Sequence, residues 1–218
     1  INITQGTISL FGGTGVSSTS FTVARPITST NFYLPYALFG DTAGSNLWIC
    51  DQFRIWEYSF AGGGTSGVGT IVGTSTAGFS GDGGPGSSAQ VNNPRGFWVT
   101  TGRIFYIADS NNCRIRRYLR NSPFTMSTFA GSATCGFLDS VAATSSQLNN
   151  PYSVYADTSN RVFIADYGNN RVRRVVTGII TTFAGNGNTG TSGETGPATN
   201  ARLTPVDVKG DTLGNIFI

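Results

Sequence analysis

The sequence predicts an all-β protein, a β-propeller of four-stranded blades with about four blades present. Three observations lead there. The segment LWICDQFRIWEY (residues 47–58) recurs as FYIADSNNCRIRRY (105–118) and VFIADYGNNRVRRV (162–175), and a fourth copy opens with NIFI at the end of the chain. Ile49, Ile107, Ile164 and Ile218 mark these copies in steps of 58, 57 and 54 residues, and Pro35, Pro94, Pro151 and Pro205 keep nearly the same register. A third marker, GTIVG (69–73), MSTFAG (126–131) and ITTFAG (180–185), follows each complete copy. Self-similarity at such a period belongs to solenoids and propellers, and runs of 4–6 β-branched or aromatic residues between turn residues are strands.

Each unit reads as four strands in order. Strand A follows the proline, as in PRGFWVT or PYSVYAD, because proline can begin a strand but not sit at its centre. Strand B is the FYIAD run. A loop rich in Asn and Gly leads into strand C, RIRRY or RVRRV, and strand D is the TTFAG run. The units fall at residues 13–73, 74–131, 132–185 and 186–218, the last incomplete, within one domain spanning 1–218. TISLFG (7–12) repeats the strand D marker without its own A, B and C, so it is expected as the outer strand of a closing or preceding blade. The chain begins at Ile1 and breaks off at Ile218 inside an apolar run, which reads as a piece of a longer protein. Radial repetition of four-stranded sheets leaves only short, protected edges.

At these residues the chain resembles the NHL repeat family. The shared pattern is P-x-x-V-x-x-D, N-x-F-I-A-D-x-x-N-N-R-V-R-R-V and I-T-T-F-A-G-N-G, strongest from residue 69 onward and weakest in the first unit, where Asp51-Gln52-Phe53-Arg54 replaces the Asn-rich turn. GDGGP (81–85) and GETGPAT (193–199) look like the GDGGPAT insertion of a long-repeat subset of that family. The resemblance implies a six-bladed ring, which needs about 340 residues at this period; a compact four-bladed ring is the alternative. It also implies binding rather than catalysis, with RNA-binding propellers and lyases among the relatives, the lyases depending on histidine ligands.

The repeated turns supply the first candidate residues. Asp51 with Arg54, Asp109 with Arg114, and Asp166 with Arg171 lie across the B–C corner, where they can pair or satisfy turn backbone groups. Recurrence in every unit favours a structural role, since a ligand site needs asymmetry. Arg116, Arg117, Arg120, Arg173 and Arg174 could form a basic patch, but alternation along a strand sends neighbours to opposite faces. Asp82, with Glu194 and Asp139 as counterparts, offers too few carboxylates for calcium, and glycines used for positive φ are the plain reading of that loop. Cys50 stands at the alanine position of strand B and reads as a buried, inert thiol. Cys113 in the B–C turn and Cys135 after the next strand D have no counterparts in other units; as an isolated pair they fit a disulfide in an oxidising compartment, with two free thiols as the alternative.

Composition narrows the function. The chain has no histidine, which removes Ser-His-Asp and His-ligated metal chemistry. With 14 basic and 11 acidic residues in 218, the net +3 is a weak footprint for nucleic acid, and no apolar run approaches the ~20 residues of a spanning helix. The expected function is a non-catalytic extracellular or cell-surface scaffold with a protein or glycan partner, no cofactor, no catalytic residue, no metal site and no membrane insertion. The alternatives are an intracellular RNA-binding propeller and a carboxylate- or metal-dependent hydrolase or lactonase-like enzyme. Surfaces rich in Ser, Thr, Asn and Gly suit a glycoprotein, with Asn2 in Asn2-Ile3-Thr4 as the N-linked sequon, or self-assembly through an open edge.

Overall fold

The computed structural model describes residues 2–4, 7–9, 30–41, 45–59, 68–121, 124–193 and 195–218, the first two segments by backbone alone. Among them the chain is all-β, with short 3-10 turns and no α-helix. Blade 1 consists of β3 (Ala37–Gly40), β4 (Asn46–Cys50), β5 (Ile55–Ser59) and β6 (Val68–Val72) after the opening pair β1 (Asn2–Thr4) and β2 (Thr7–Ser9). Blade 2 contains β7 (Pro94–Val99), β8 (Ile104–Asp109), β9 (Arg114–Leu119) and β10 (Met126–Ala130). Blade 3 contains β12 (Ser153–Ala156), β13 (Val162–Asp166), β14 (Arg171–Val176) and β15 (Ile179–Ala184), with β11 (Val141–Ala142) added outside β15. The start of a fourth sheet is β16 (Lys209–Gly210) paired with β17 (Ile216–Phe217). Every sheet is an antiparallel meander.

The inner strands β3, β7, β12 and β16 touch in sequence around one side, the radial stacking that defines a propeller. Their facing residues are aromatic: Phe39 meets Trp98 edge-on at 5.0 Å, and Trp98 meets Tyr155 at 4.7 Å. Apolar burial between blades supplies the cohesion, as the equivalent positions show. Phe97 and Val154 are buried between neighbouring blades, whereas Leu38, the same position in blade 1, is 73% exposed.

The connection from each outer strand does not run directly inward. It first crosses the outer edge of the next blade, where Asp82 bridges Met126 and Pro85 bridges Thr125 beside β10, as β11 does beside β15. Gly81 makes this path possible: it has φ +87°, and a Cβ there would lie 2.5 Å from the Ala89 Cα. The segment expected as an outer strand, residues 7–12, contributes β2, whose partner is β1; residues 10–12 lie outside the described set.

Candidate functional site

The repeated corner is a buried charge lattice. Pleating places Arg116 opposite Ile107 and Arg173 opposite Ile164, and both arginine side chains are fully buried. A buried guanidinium needs carboxylates and carbonyls to replace water. Arg116 takes Asp109 at 3.3 Å and Asp82 at 2.7 Å, with the carbonyls of Ser80 and Gln90. Arg173 repeats this with Asp166 at 3.0 Å and Asp139 at 2.9 Å, and with the carbonyls of Leu138 and Gln147.

The expected side-chain pairing across the corner is therefore corrected. Asp109 faces Arg114, and Asp166 faces Arg171, in backbone register, but each aspartate gives its charge to the arginine two residues further along. Arg114 and Arg171 sit at the rim, donate to the carbonyls of Asn112 and Asn169, and lie over Phe79 and Phe137 at 3.7 and 4.1 Å. Asp109 and Asp166 accept instead from the N–H groups of Asn92 and Asn149, in the segments leading to strand A, each at 2.8 Å, and from the side-chain amides of Asn112 and Asn169 in the turn. In blade 1, Asp51 accepts from the N–H groups of Phe53 and Tyr33 and from Trp56 Nε1 at 2.8 Å, while Arg54 Nε donates to the Thr74 carbonyl.

Burial lifts the Asp109 and Asp166 carboxyls to about 6, against their hydrogen bonds and arginine partners. Burial also acts upward on Asp82 and Asp139, but there Thr128 or Thr182 together with the arginine outweigh it and hold both below the usual range. With its oxygens committed to Arg116 and to Thr128 N and Oγ1, Asp82 is a lock on the loop. Its counterpart Glu194 lies outside the described residues. Among the described residues no three His, Cys, Asp or Glu side chains gather as a metal site would.

Cys113 and Cys135 form a disulfide with Cα atoms 5.3 Å apart. It ties the B–C turn of blade 2 to the following connection, where blade 3 has a hydrogen bond from Asn170 Nδ2 to the Gly187 carbonyl at 3.2 Å. Cys50 is fully buried with its Sγ 3.0 Å from the Pro94 carbonyl, and burial pushes its thiol well above the usual range. The surplus arginines do not share a surface: Arg116 and Arg173 are internal, Arg120 reaches Glu57 of blade 1 at 2.7 Å, and Arg174 lies over Phe183. The sequon residue Asn2 opens β1.

The asymmetric feature lies elsewhere, at the residue after each repeated proline: Tyr36, Arg95, Tyr152 and Val206. The Arg95 guanidinium lies over the rings of Tyr36 at 5.3 Å and Tyr152 at 4.3 Å. Tyr152 stacks on Tyr167 at 3.9 Å with planes 3° apart. The result is one row, Tyr36–Arg95–Tyr152–Tyr167, across three consecutive blades. Two local features place Arg95 in it. The pairing of β7 with β8 skips a residue between Pro94 and Gly96, and a bulge of this kind re-aims the extra side chain. Gly96 has no room for a Cβ, which would meet the Tyr152 carbonyl at 2.5 Å, so the inner strand of blade 3 closes up and brings Tyr152 onto the guanidinium. Beside the row, the exposed Asn111 amide hydrogen-bonds Asn92 at 3.2 Å. Sequence reading missed these residues, although the aligned prolines already marked the position.

The chain matches no family model and no curated protein. It is similar to solved structures. A Bacteroides thetaiotaomicron structural genomics protein of unknown function aligns at 17% identity over 80% of this chain and 41% of its own, with a TM-score of 0.61. An auxiliary nutrient binding protein of the same organism aligns at 20% identity over 66% and 36% (TM-score 0.53), and one from Bacteroides ovatus at 19% over 70% and 37% (TM-score 0.51). At these identities the likeness shows the fold, and the chain spans well under half the length of these structures.

Proposed function

We propose that the chain is a non-catalytic recognition module of an extracellular or cell-surface protein, built of NHL-type blades within a six-bladed ring, and that it binds a glycan. The observation that carries this reading is the Tyr36–Arg95–Tyr152–Tyr167 row, which differs from unit to unit where everything around it repeats. Aromatic faces with a few placed polar groups are the make-up of small-ligand sites. The outer ring faces of Tyr36 and Tyr167, at the ends of the row, cover the C–H faces of a sugar, and the tyrosine hydroxyls along it exchange hydrogen bonds with the sugar hydroxyls. Two structural neighbours are auxiliary nutrient binding proteins, a role of the same kind. The Cys113–Cys135 disulfide supports an oxidising compartment, where Asn2 is positioned in sequence to carry an N-linked glycan.

The test is an oligosaccharide array probed with the purified protein and with Tyr152→Ala. Expected is retention of one glycan class by the native protein, lost in the variant while its melting transition shows that it is still folded. Retention of single-stranded RNA instead, with an affinity falling steeply against salt, would favour the RNA-binding reading. Binding of the glycan class unchanged by Tyr152→Ala would place recognition away from the row.

A further inference from the structure

Arg95 stands apart from the arginines of the blade interior. Arg116 and Arg173 are each neutralised by two aspartates, and Arg114 and Arg171 donate to backbone carbonyls. No ion pair among the described residues includes Arg95. Its Nε is buried without a hydrogen-bond partner, whereas Nη1 and Nη2, which donate to no atom of the described residues, keep solvent contact. Arg174, also without an ion pair, lies over a single ring of its own blade; Arg95 is held between rings of two other blades.

Stacking and hydrogen bonding use different parts of a guanidinium. The Arg95 guanidinium lies over the rings of Tyr36 and Tyr152, contacts that hold it in place while its Nη donors stay open to solvent. A planar fork of donors, already immobilised and with no internal acceptor, matches a carboxylate through two parallel bonds. The ordering cost is met before a ligand arrives, so little affinity is lost to it. Staple and subsite are compatible: the ring contacts join the blades, and the Nη donors are free. The units on either side have an uncharged residue at this position, Tyr36 and Tyr152, so a negative group finds a single cation in an aromatic row.

We propose that Arg95 is a carboxylate subsite, and that the glycan bound by this face carries a uronate whose carboxylate the Arg95 fork receives. This rests on the glycan-binding reading above and adds the acidic class. Titration calorimetry of the full chain with trigalacturonate and with its methyl-esterified form separates the two. Expected is binding of the acid at least tenfold tighter than of the ester, with the difference shrinking as salt is raised. Arg95→Gln should bring the acid down to the level of the ester, and Arg95→Lys should recover only part, because an ammonium keeps the charge but not the fork. Melting midpoints are recorded alongside to show that each variant is folded. Equal binding of acid and ester, unchanged in Arg95→Gln, overturns the subsite and leaves the glycan reading standing. Binding of neither overturns both. Should Arg95→Gln unfold the protein, the acid-to-ester ratio of the native chain decides alone.

Discussion

Blade 1 holds its B–C corner with Trp56, a neutral donor, where blades 2 and 3 use Arg116 and Arg173. The three residues share one register position, opposite Ile49, Ile107 and Ile164. In blade 1 the Asp51 carboxylate receives an indole N–H; in the others a guanidinium spans two aspartates, one from the corner and one from the preceding connection. The difference teaches what the charge lattice is for. An indole has one N–H, here given to Asp51, while an arginine also fastens the incoming loop to the blade through Asp82 or Asp139. Blades 2 and 3 are thus cross-braced by charge, and Arg116 and Arg173, fully buried, present no face to a ligand.

The comparison is broken most severely at Arg173. Arg173→Met strands Asp166 as a buried unpaired charge and should cost about 3–5 kcal/mol in urea unfolding, and adding Asp166→Asn should return part of that loss. A second contrast lies between blades 2 and 3. Replacing both Cys113 and Cys135 by Ser opens a link of sequence separation 22 and should cost about 3 kcal/mol by loop entropy. Asn170→Ala, which removes the equivalent hydrogen bond in blade 3, should cost about 1 kcal/mol. In blade 1, Trp56→Phe keeps the ring and both backbone donors to Asp51 and should cost about 1–2 kcal/mol, well below Arg173→Met.

The smallest effect is on pH dependence. Asp109 and Asp166 have folded values of about 6, above the ordinary aspartate value of 3.8, so the folded state binds more protons than the unfolded between these values. Their contribution is fully present below about 4 and is lost as pH rises through 6. Asp82 and Asp139 are shifted down and act oppositely, losing their contribution as pH falls below about 4. The melting midpoint should therefore rise on going from pH 7 to pH 5, by about 2–4 °C for each kcal/mol gained, and less in the Arg173→Met, Asp166→Asn double variant.

Much of this architecture was legible in the sequence because it repeats. Proline register and strand alternation locate the blades, and the cysteines without counterparts locate the disulfide. Pairing at the corner was not legible in the same way: Asp109 and Arg114 are neighbours across the turn, but burial decides the partner, and Arg116 is the one removed from water. The recognition row was harder still. Tyr36, Arg95 and Tyr152 are separated by about a unit each in sequence and meet only because blades stack and Gly96 admits close approach.

The claim that recognition lies in the row through Arg95, and bracing in Arg116 and Arg173, is tested most directly by arginine side-chain NMR. Nε–Hε signals are followed while trigalacturonate is added to the full chain. Expected is a saturable shift of the Arg95 signal, with the internal Arg116 and Arg173 signals unmoved. Shifts of Arg116 or Arg173 with Arg95 unmoved would contradict the division.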